Sequence, residues 1–346
     1  MKNRMMNVQT MSVLLAAILL VCGCTQQQAQ TPKHFTTEAI SPYTPIKDQG
    51  GSEACWAYAM LATIESEHII MGDSVNLSPL YAVRTLLEQQ TVRRYLTGKS
   101  SLITAKGTMP LLIDVMKESG MVCYDAYHGD CNTPVVCRKL TKKADAAMAR
   151  GIGVKRLEEE TAGMLDSYIG PTPENVFLFG ARYSTQEFAE SVCLPNEYHF
   201  YTSFSHHPFY QDVDLELPDN YRHSSFTNLP IDTLVNIIVD RLESGHPVCW
   251  EGDVTEPGFS FSKGVAVLAN EAAPCSQQMR QQAFERHETT DDHCMELIGI
   301  AKDENNKRYI ICKNSWGTAN PYGGLMYMSL DYLRLKTIAV AMRNEK

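Results

Sequence analysis

The order of secondary-structure patterns constrains the fold of this 346-residue chain more than any other feature. The first third is helical: an apolar run over 54–71, a helix that begins at Ser78-Pro79, and a third over about 109–119 that ends at Gly120. The last third carries short β-like runs, at Pro247–Trp250, Gly264–Leu268, Met295–Ala301, Arg308–Cys312, Leu325–Met328 and Thr337–Met342. Helices first and strands later predict an α+β protein with two lobes.

The N-terminus has the pattern of a targeting segment. Lys2 and Arg4 precede an apolar run, Met11–Val21, which is too short for a comfortable membrane span. Small residues and Cys24 follow, and this arrangement resembles a bacterial lipoprotein signal that is cleaved so that Cys24 becomes the lipidated first residue. We therefore expect export and a lipid anchor at Cys24 on a bacterial membrane, at its periplasmic or cell-surface face. A plain secretory signal is the alternative.

Composition narrows the classes of partner. The formal net charge is −9, which argues against nucleic acid. Adjacent His206 and His207 are expected to point in different directions, and the cysteines match no zinc pattern, so no metal or cofactor is predicted. Eleven cysteines in an oxidising compartment leave disulfide pairing open. Cys249 and Cys312 are expected to be buried because they lie in apolar runs.

A cysteine at the start of the first helix is the first candidate for chemistry. If Ser52 caps this helix, Cys55 lies in its first turn, where unpaired amides and the helix dipole favour a negative sulfur. The side-chain amide of Gln49 would then combine with the Cys55 N–H to form an oxyanion hole. Taken alone, a cysteine before Trp56 on an apolar helix fits a buried structural thiol equally well.

Two later segments supply partners for that cysteine. His293 stands at the head of an apolar run, and Asn314 opens the sequence Asn-Ser-Trp-Gly at the end of a predicted strand. An asparagine can bond one ring nitrogen of a histidine and leave the other to face a thiolate. The neighbouring Trp316 can shield that hydrogen bond from water. We interpret Cys55, His293 and Asn314 as nucleophile, general base and orienting residue.

In this order, Gln, Cys-Trp, His and Asn-Ser-Trp-Gly resemble the papain superfamily of cysteine peptidases. The resemblance implies a two-lobe fold in which a helical lobe and a β-barrel-like lobe enclose a cleft. It also implies that Gln49 is the oxyanion glutamine and Trp316 the shield of the His–Asn pair. By the same resemblance, Gly107 contacts substrate through its backbone, and Cys294 lines the S2 region.

The chain departs from papain in ways that resemble the bleomycin hydrolase and aminopeptidase C branch. Cys55 and His293 are 238 residues apart, about 100 more than the roughly 130–150 typical of papain. Ser52 and Glu53 replace a disulfide cysteine and a glycine, and Glu53 would oppose the thiolate if it faced the sulfur. The chain stops four residues after the last predicted strand, and that tail is expected to be too short to block the cleft as in the aminopeptidase branch.

The resulting prediction is a peptidase domain behind a leader. Residues 1–23 are the signal peptide, 24–40 a tether, and 41–346 the domain, with a helical lobe over about 41–135, an insertion over about 136–230 and a β-rich lobe over about 231–346. The predicted reaction is peptide-bond hydrolysis through an acyl-enzyme, exo- or endopeptidase undecided, on peptide or protein substrates. An inert peptide-binding lipoprotein and an acyl transferase are the alternatives. The oligomeric state stays open.

Overall fold

Helices dominate the first half of the protein and strands the second. The computed structural model describes residues 32–344 except 179 and 272, so the predicted signal peptide and Cys24 lie outside the described residues. Nine α-helices occur in this part: α1 Cys55–Ile70, α2 Pro79–Leu96, α3 Met109–Ser119, α4 Thr133–Arg150, α5 Val154–Ile169, α6 Thr185–Val192, α7 Ile231–Glu243, α8 Gln277–Glu285 and α9 Leu330–Lys336. None of the helices within the described residues is long and apolar enough to cross a membrane.

Helix α1 is the central helix, and its first two turns and a half are almost entirely apolar. Its residues from Trp56 to His68 are all buried, and the polar ones near its end, Glu65 to His68, are buried with hydrogen-bond partners. The prediction that Ser52 caps this helix is wrong. Ala54 occupies the cap position, with no side-chain hydrogen bond, and the Ser52 hydroxyl instead accepts from the Ala54 N–H at 3.3 Å.

The ends of the next two helices follow the sequence signals. The Ser78 hydroxyl accepts from the Tyr81 N–H, and Pro79 takes the first helical position of α2, where a missing N–H costs nothing. Helix α3 ends at Gly120, whose φ of 80° lies in the region that favours glycine. Both boundaries confirm the predicted starts and stops.

Thirteen strands are described: β1 Phe35–Ile40, β2 Asn175–Leu178, β3 Ala181–Ser184, β4 Tyr198–Thr202, β5 Gln211–Asp214, β6 Ser225–Asn228, β7 Val248–Gly252, β8 Phe259–Ser260, β9 Val265–Ala266, β10 His293–Asp303, β11 Arg308–Lys313, β12 Leu325–Ser329 and β13 Thr337–Arg343. Eleven of them form one sheet in the order β5-β6-β4-β13-β7-β10-β11-β12-β9-β8, with β1 paired to β10. The segment between the helical and strand-rich parts therefore contributes β4, β5 and β6 to the main sheet. Strands β2 and β3 form a separate hairpin.

The sheet separates two apolar cores because successive side chains of β7 face opposite sides. Cys249 belongs to the cluster formed with α1, α2 and α3, whereas Val248 and Trp250 belong to the cluster closed by α7 and α9. Cys312 is fully buried in the second cluster, and Cys249 in the first. The predicted burial of both cysteines is confirmed.

A buried polar network ties α1 to β10 and β11. The Ser66 hydroxyl donates to the Glu296 carboxylate at 2.5 Å, and Lys313 lies 3.1 Å from the same carboxylate. The Lys313 ammonium also donates to the Thr44 hydroxyl at 3.0 Å, and that hydroxyl bonds Glu65 of α1. Charges that are this deeply buried are tolerated only when they are paired and hydrogen-bonded, so the network specifies how the helix sits on the strands.

We expect Lys313→Met to lower the free energy of unfolding by about 3–5 kcal/mol, because it leaves Glu296 as an uncompensated buried charge. Urea denaturation measures this loss. The double variant Glu296→Leu, Lys313→Met should recover a large part of it. Lys302→Met is the matched control: Lys302 lies on β10, the strand paired with that of Lys313, but its partner Glu38 is solvent-exposed, so the loss should stay below about 1 kcal/mol. Equal losses for the two lysine variants would contradict the interpretation.

Candidate active site

Cys55 is the first residue of α1 and is half-buried in the lining of a cleft. The first N–H groups of a helix have no partner within the helix, and they carry its partial positive charge. Trp56, directly after it, donates from its indole N–H to the Ala105 carbonyl at 2.8 Å. This hydrogen bond holds the helix start against the loop that contains Gly107.

His293 begins β10, on the opposite side of the cleft from α1. Its side chain is buried, and its Nε2 lies 2.8 Å from the Asn314 Oδ1. That bond occupies one ring nitrogen and leaves Nδ1 for the sulfur of Cys55, with which the imidazole is in hydrogen-bonding contact. The structure therefore brings Cys55, His293 and Asn314 together in one chain of contacts.

Asn314 follows β11 and is fixed on both sides of its amide. Its Oδ1 also accepts from the Ser315 N–H at 2.7 Å, and its Nδ2 faces the Met326 sulfur at 3.5 Å. The Trp316 ring covers the His–Asn bond, with its centroid 4.6 Å from that of His293. Phe259 and Phe261 pack edge-on against Trp316 and extend this aromatic cover.

Gln49 and Gly107 line the cleft next to Cys55. The Gln49 amide donates to the Ser52 carbonyl at 2.8 Å, and its oxygen accepts from the Ser315 hydroxyl at 2.6 Å. One N–H of the amide is thus committed to holding the side chain, and a second N–H is available to an oxyanion. Gly107 cannot bear a side chain without displacing Leu111, because a Cβ would lie 2.2 Å from a Leu111 methyl carbon.

The environment of Cys55 favours the thiolate. Hydrogen bonding from Cys294 is the largest effect that lowers the pKa of Cys55 well below its ordinary value. The hydrogen bond and charge of His293 add to it, and burial opposes them. Cys294 is itself buried, and burial raises the pKa of its thiol, so it stays protonated and donates. The sequence analysis placed Cys294 in the S2 region and missed this contact with the sulfur.

A pair of carboxyl groups was also missed, one half-buried at the cleft and one fully buried behind it. Glu251 of β7 stands opposite Cys294 in the strand register and is fully buried. Its carboxyl group contacts that of Asp291, and burial together with this neighbour raises the pKa of Glu251 well above its ordinary value. Burial raises the pKa of Asp291 to about 7. The only sequence signal was Asp291-Asp292 directly before the base, which does not reveal Glu251.

Two adjoining cavities form the cleft. A cavity of about 250 Å³ is lined by Gln49, Cys55, Gly107, His293, Cys294 and Trp316, together with Ser52 and several charged side chains that include Glu53. A larger cavity of about 650 Å³ shares Lys106, Asp219 and Asp291 with it. The cleft thus gathers all the residues to which the sequence analysis assigned a role, except Asn314 behind His293 and Cys24 outside the described residues.

The remaining cysteines and histidines were only partly predicted. All nine cysteines in the described part of the chain are free thiols. His206 and His207 do not point apart as expected. Both Nε2 atoms lie within 3.2 Å of the Glu216 carboxylate, because the loop turns both rings, 4.2 Å apart, towards the same acid.

A family model decides the relationship to known proteins. The model of the Peptidase C1-like family matches residues 171–345, about half of the chain, a range that includes His293 and Asn314. The chain belongs to the Peptidase C1-like family. Its fold and membership together confirm the expectation of a papain-superfamily cysteine peptidase.

One solved structure shares the fold over almost the whole chain. PepW from Lactobacillus rhamnosis HN001 superposes with a TM-score of 0.69 at 14% identity, covering 97% of this chain and 89% of PepW. The predicted two-lobe α+β fold is thereby confirmed. Xylellain from Xylella fastidiosa is 13% identical over 91% of each chain, with a TM-score of 0.49. A viral cathepsin of Spodoptera litura multicapsid nucleopolyhedrovirus is 40% identical over 47 residues, and the match spans 14% of this chain and 14% of that relative.

The carboxyl pair makes stability depend on pH. A carboxyl group whose pKa is raised by folding holds its proton longer in the folded state, so stability falls as pH rises from about 4 to about 7. We expect Asp291→Asn to raise the thermal midpoint relative to wild type more at pH 8 than at pH 5. Asp240→Asn, at an exposed position on α7, is the control and should change neither midpoint. An equal gain from Asp291→Asn at both pH values would refute this assignment.

Proposed function

We propose that the protein hydrolyses peptide bonds by covalent catalysis at Cys55, with His293 as general base and acid and Asn314 as orienting residue. The observation that carries the proposal is the contact of a helix-terminal cysteine with an imidazole whose far nitrogen is bonded to Asn314 at 2.8 Å. A structural thiol has no need of such a partner. Membership of a peptidase family supports the same reaction class.

The first half-reaction forms a thioester. The Cys55 thiolate attacks the peptide carbonyl carbon, and the carbonyl oxygen becomes an oxyanion. The Cys55 N–H and the free N–H of the Gln49 amide donate to that oxygen. These two hydrogen bonds stabilise the negative charge that forms on the oxygen during the attack. As the C–N bond breaks, the protonated imidazole of His293 gives its proton to the leaving amine. The acyl group remains on sulfur.

The second half-reaction releases the acid product. His293, now neutral, takes a proton from water, and the resulting hydroxide attacks the thioester carbon. The C–S bond breaks, and the Cys55 thiolate is restored beside protonated His293. Because Trp316 and its two phenylalanine neighbours cover the His–Asn bond, the imidazole keeps one orientation through both half-reactions.

We further propose a place in the bleomycin hydrolase and aminopeptidase C branch. Two differences from papain support it: the longer segment between Cys55 and His293, and Ser52 in the position of a disulfide cysteine. Peptides or proteins would be the substrates, and nucleic acid would not be a partner. Export and lipid anchoring at Cys24 complete the proposal, on the strength of the N-terminal sequence pattern.

Cys55→Ala should abolish both peptide hydrolysis and labelling by a thiol-reactive peptide epoxide, because the nucleophile is lost. The measurements are hydrolysis of a mixed peptide library and intact-mass detection of the adduct under reducing conditions. Cys123→Ala is the control, since Cys123 is the other half-buried thiol and lies outside the cleft. Wild type that neither cleaves nor takes up the label would favour the inert peptide-binding alternative.

Asn314→Ala separates orientation from reactivity in the same assay. Loss of the orienting bond lets the ring turn, and a small misplacement of a catalytic group costs about 100-fold in rate. Labelling should persist, because Cys55 and His293 remain.

An amine acceptor added to the wild-type reaction tests the transferase alternative. If the main product is a new amide, acyl transfer replaces hydrolysis as the proposed reaction.

Cys24→Ser should release the exported protein from the membrane fraction, because the proposed acceptor of the lipid is gone. Expression in a bacterial host with metabolic fatty-acid labelling, followed by fractionation, measures this. Cys22→Ser is the matched control and should keep the label. If Cys24→Ser leaves labelling and fractionation unchanged, the anchor at Cys24 is wrong, and this result does not bear on the peptidase reaction.

A further inference from the structure

The wall of the catalytic cleft is strongly acidic. Apart from Cys55 and His293, whose charges compensate each other, the cavity is lined by Glu53, Asp219, Asp291 and Asp292, with Lys106 as the cation among its lining residues. Lys106 offsets part of this charge and is exposed. Negative charges near Cys55 disfavour the ionised form of its thiol, and catalysis requires that form. The excess of carboxylates therefore suggests that they serve another purpose in the cleft.

Glu251 is a further acidic residue, buried beneath the surface of the cleft. It lies opposite Cys294 in the register of β7 and β10, so both side chains project from the same face of the sheet, towards Cys55. Glu251 is 0% exposed, and its carboxyl group has the carboxyl group of Asp291 and the Met109 backbone as hydrogen-bonding neighbours. The Oδ2 atom of Asp291 is buried as well.

A fully buried carboxylate without a cation beside it is costly, and in proteins such a group usually holds a proton instead. A proton shared between Glu251 and Asp291 offsets part of that cost, as the raised pKa of each group reflects. Elsewhere in the interior, the comparable acid Asp253 is paired with the Lys336 ammonium at 3.1 Å. Within residues 32–344 as described, Glu251 and Asp291 have no such cation, and Asp291 lines the cleft directly.

The adjoining cavity of about 650 Å³ has the shape and chemistry for a long cationic side chain. It meets the catalytic cavity at Asp219 and Asp291. Leu217, Pro218 and Phe284 supply apolar surface for a hydrocarbon stem. Glu285 is a further acidic group on its wall, whereas the carboxylate of Glu216, also on the wall, is already in contact with His206 and His207.

We propose that the acidic wall formed by Asp291 and Asp219, with Glu251 buried behind Asp291, binds an ammonium or guanidinium group of the peptide substrate next to Cys55, and that the enzyme therefore selects peptides carrying a cation near the cleaved bond. The proposal rests on the proposed peptidase function and names its substrate class. The cation donates to Asp291 at the cleft surface and replaces the proton that Asp291 shares with Glu251. It also offsets their effect on the thiolate, so that the bound substrate completes the electrostatics of the site.

The positively charged group could belong to either of two parts of a peptide substrate. A lysine or arginine side chain would suit an endopeptidase, and its stem would cross the apolar surface of the larger cavity. A free N-terminal amine would suit an exopeptidase that trims short pieces from the N-terminus. Both bring N–H donors and a positive charge to Asp291, so the test needs separate arms for the two.

The experiment compares substrates that differ only in charge. Acetyl-capped fluorogenic peptides carry arginine or its neutral isostere citrulline at each position near the cleaved bond, and a second set carries neutral side chains with a free or an acetylated N-terminus. At pH 7.5 we expect kcat/KM to favour the cationic member of one set by about 10- to 100-fold, the range of a charge-assisted hydrogen bond. The first set reports on side chains and the second on the N-terminal amine.

Variants then show which residues cause the preference for cationic substrates. Glu251→Gln and Asp291→Asn keep the shape of the side chains and remove the charge, and each should shrink the cation-to-neutral ratio at least fivefold. The ratio is the readout, so a general loss of rate does not mimic the effect. Glu190→Gln, at an exposed position on α6, removes one charge at the surface and should leave the ratio as in wild type. A reduction of the ratio by Glu190→Gln equal to that by Glu251→Gln would overturn the proposal.

The outcome separates this proposal from the peptidase proposal. If wild type cleaves both members of each pair equally well, the acidic subsite is wrong and the peptidase function stands. If no peptide is cleaved, binding of the paired peptides to Cys55→Ala, measured by calorimetry, decides the question without turnover. Tighter binding of the cationic member supports the subsite, and equal affinities overturn it.

Discussion

The packing of α1 on β10 is the constraint on which the rest of the structure depends. Cys55 begins the helix and His293 begins the strand, so any sliding of one element along the other separates sulfur from imidazole. The Ser66–Glu296 bond, supported by Lys313 and Thr44, joins the same two elements about 16 Å further along the helix and about 10 Å along the strand. Buried ion pairs contribute little net stability, but they penalise every alternative register in which a charge is left alone.

The electrostatics of the cleft combine opposing demands. Cys294, His293 and the start of α1 favour the Cys55 thiolate, whereas Glu251 and Asp291 disfavour it. Because the interior has a low dielectric, both influences act more strongly than they would at the surface. A substrate cation at the carboxyl pair would remove the unfavourable contribution at the moment when the thiolate is needed. Binding and reactivity would then be coupled by charge, without any movement of the chain.

The β-rich part carries His293, and it also positions Glu251 and part of the substrate-facing surface. Strand β7 places Trp250 in one core and Glu251 towards the other, because alternate residues of a strand face opposite sides. Its neighbour β13 pairs with β4, so the segment that lengthens the distance between Cys55 and His293 also widens the sheet next to the cleft. Leu217 and Asp219, from the same segment, line the larger cavity. The inserted chain thus adds to the substrate-facing surface while the reactive centre stays on α1 and β10.

Local patterns in the sequence determined the first three helices, six of the thirteen described strands and the three residues that meet in the cleft. Apolar periodicity, Pro79 and Gly120 act within a few residues, and the motifs around Cys55, His293 and Asn314 carry their chemistry in short segments. Only the tertiary structure decided the rest. The cap of α1 is Ala54 and not Ser52, since the backbone path there is set by packing. Glu251 and Asp291 are far apart in sequence, and they meet only because β7 and β10 pair in one register, which no local pattern of residues encodes.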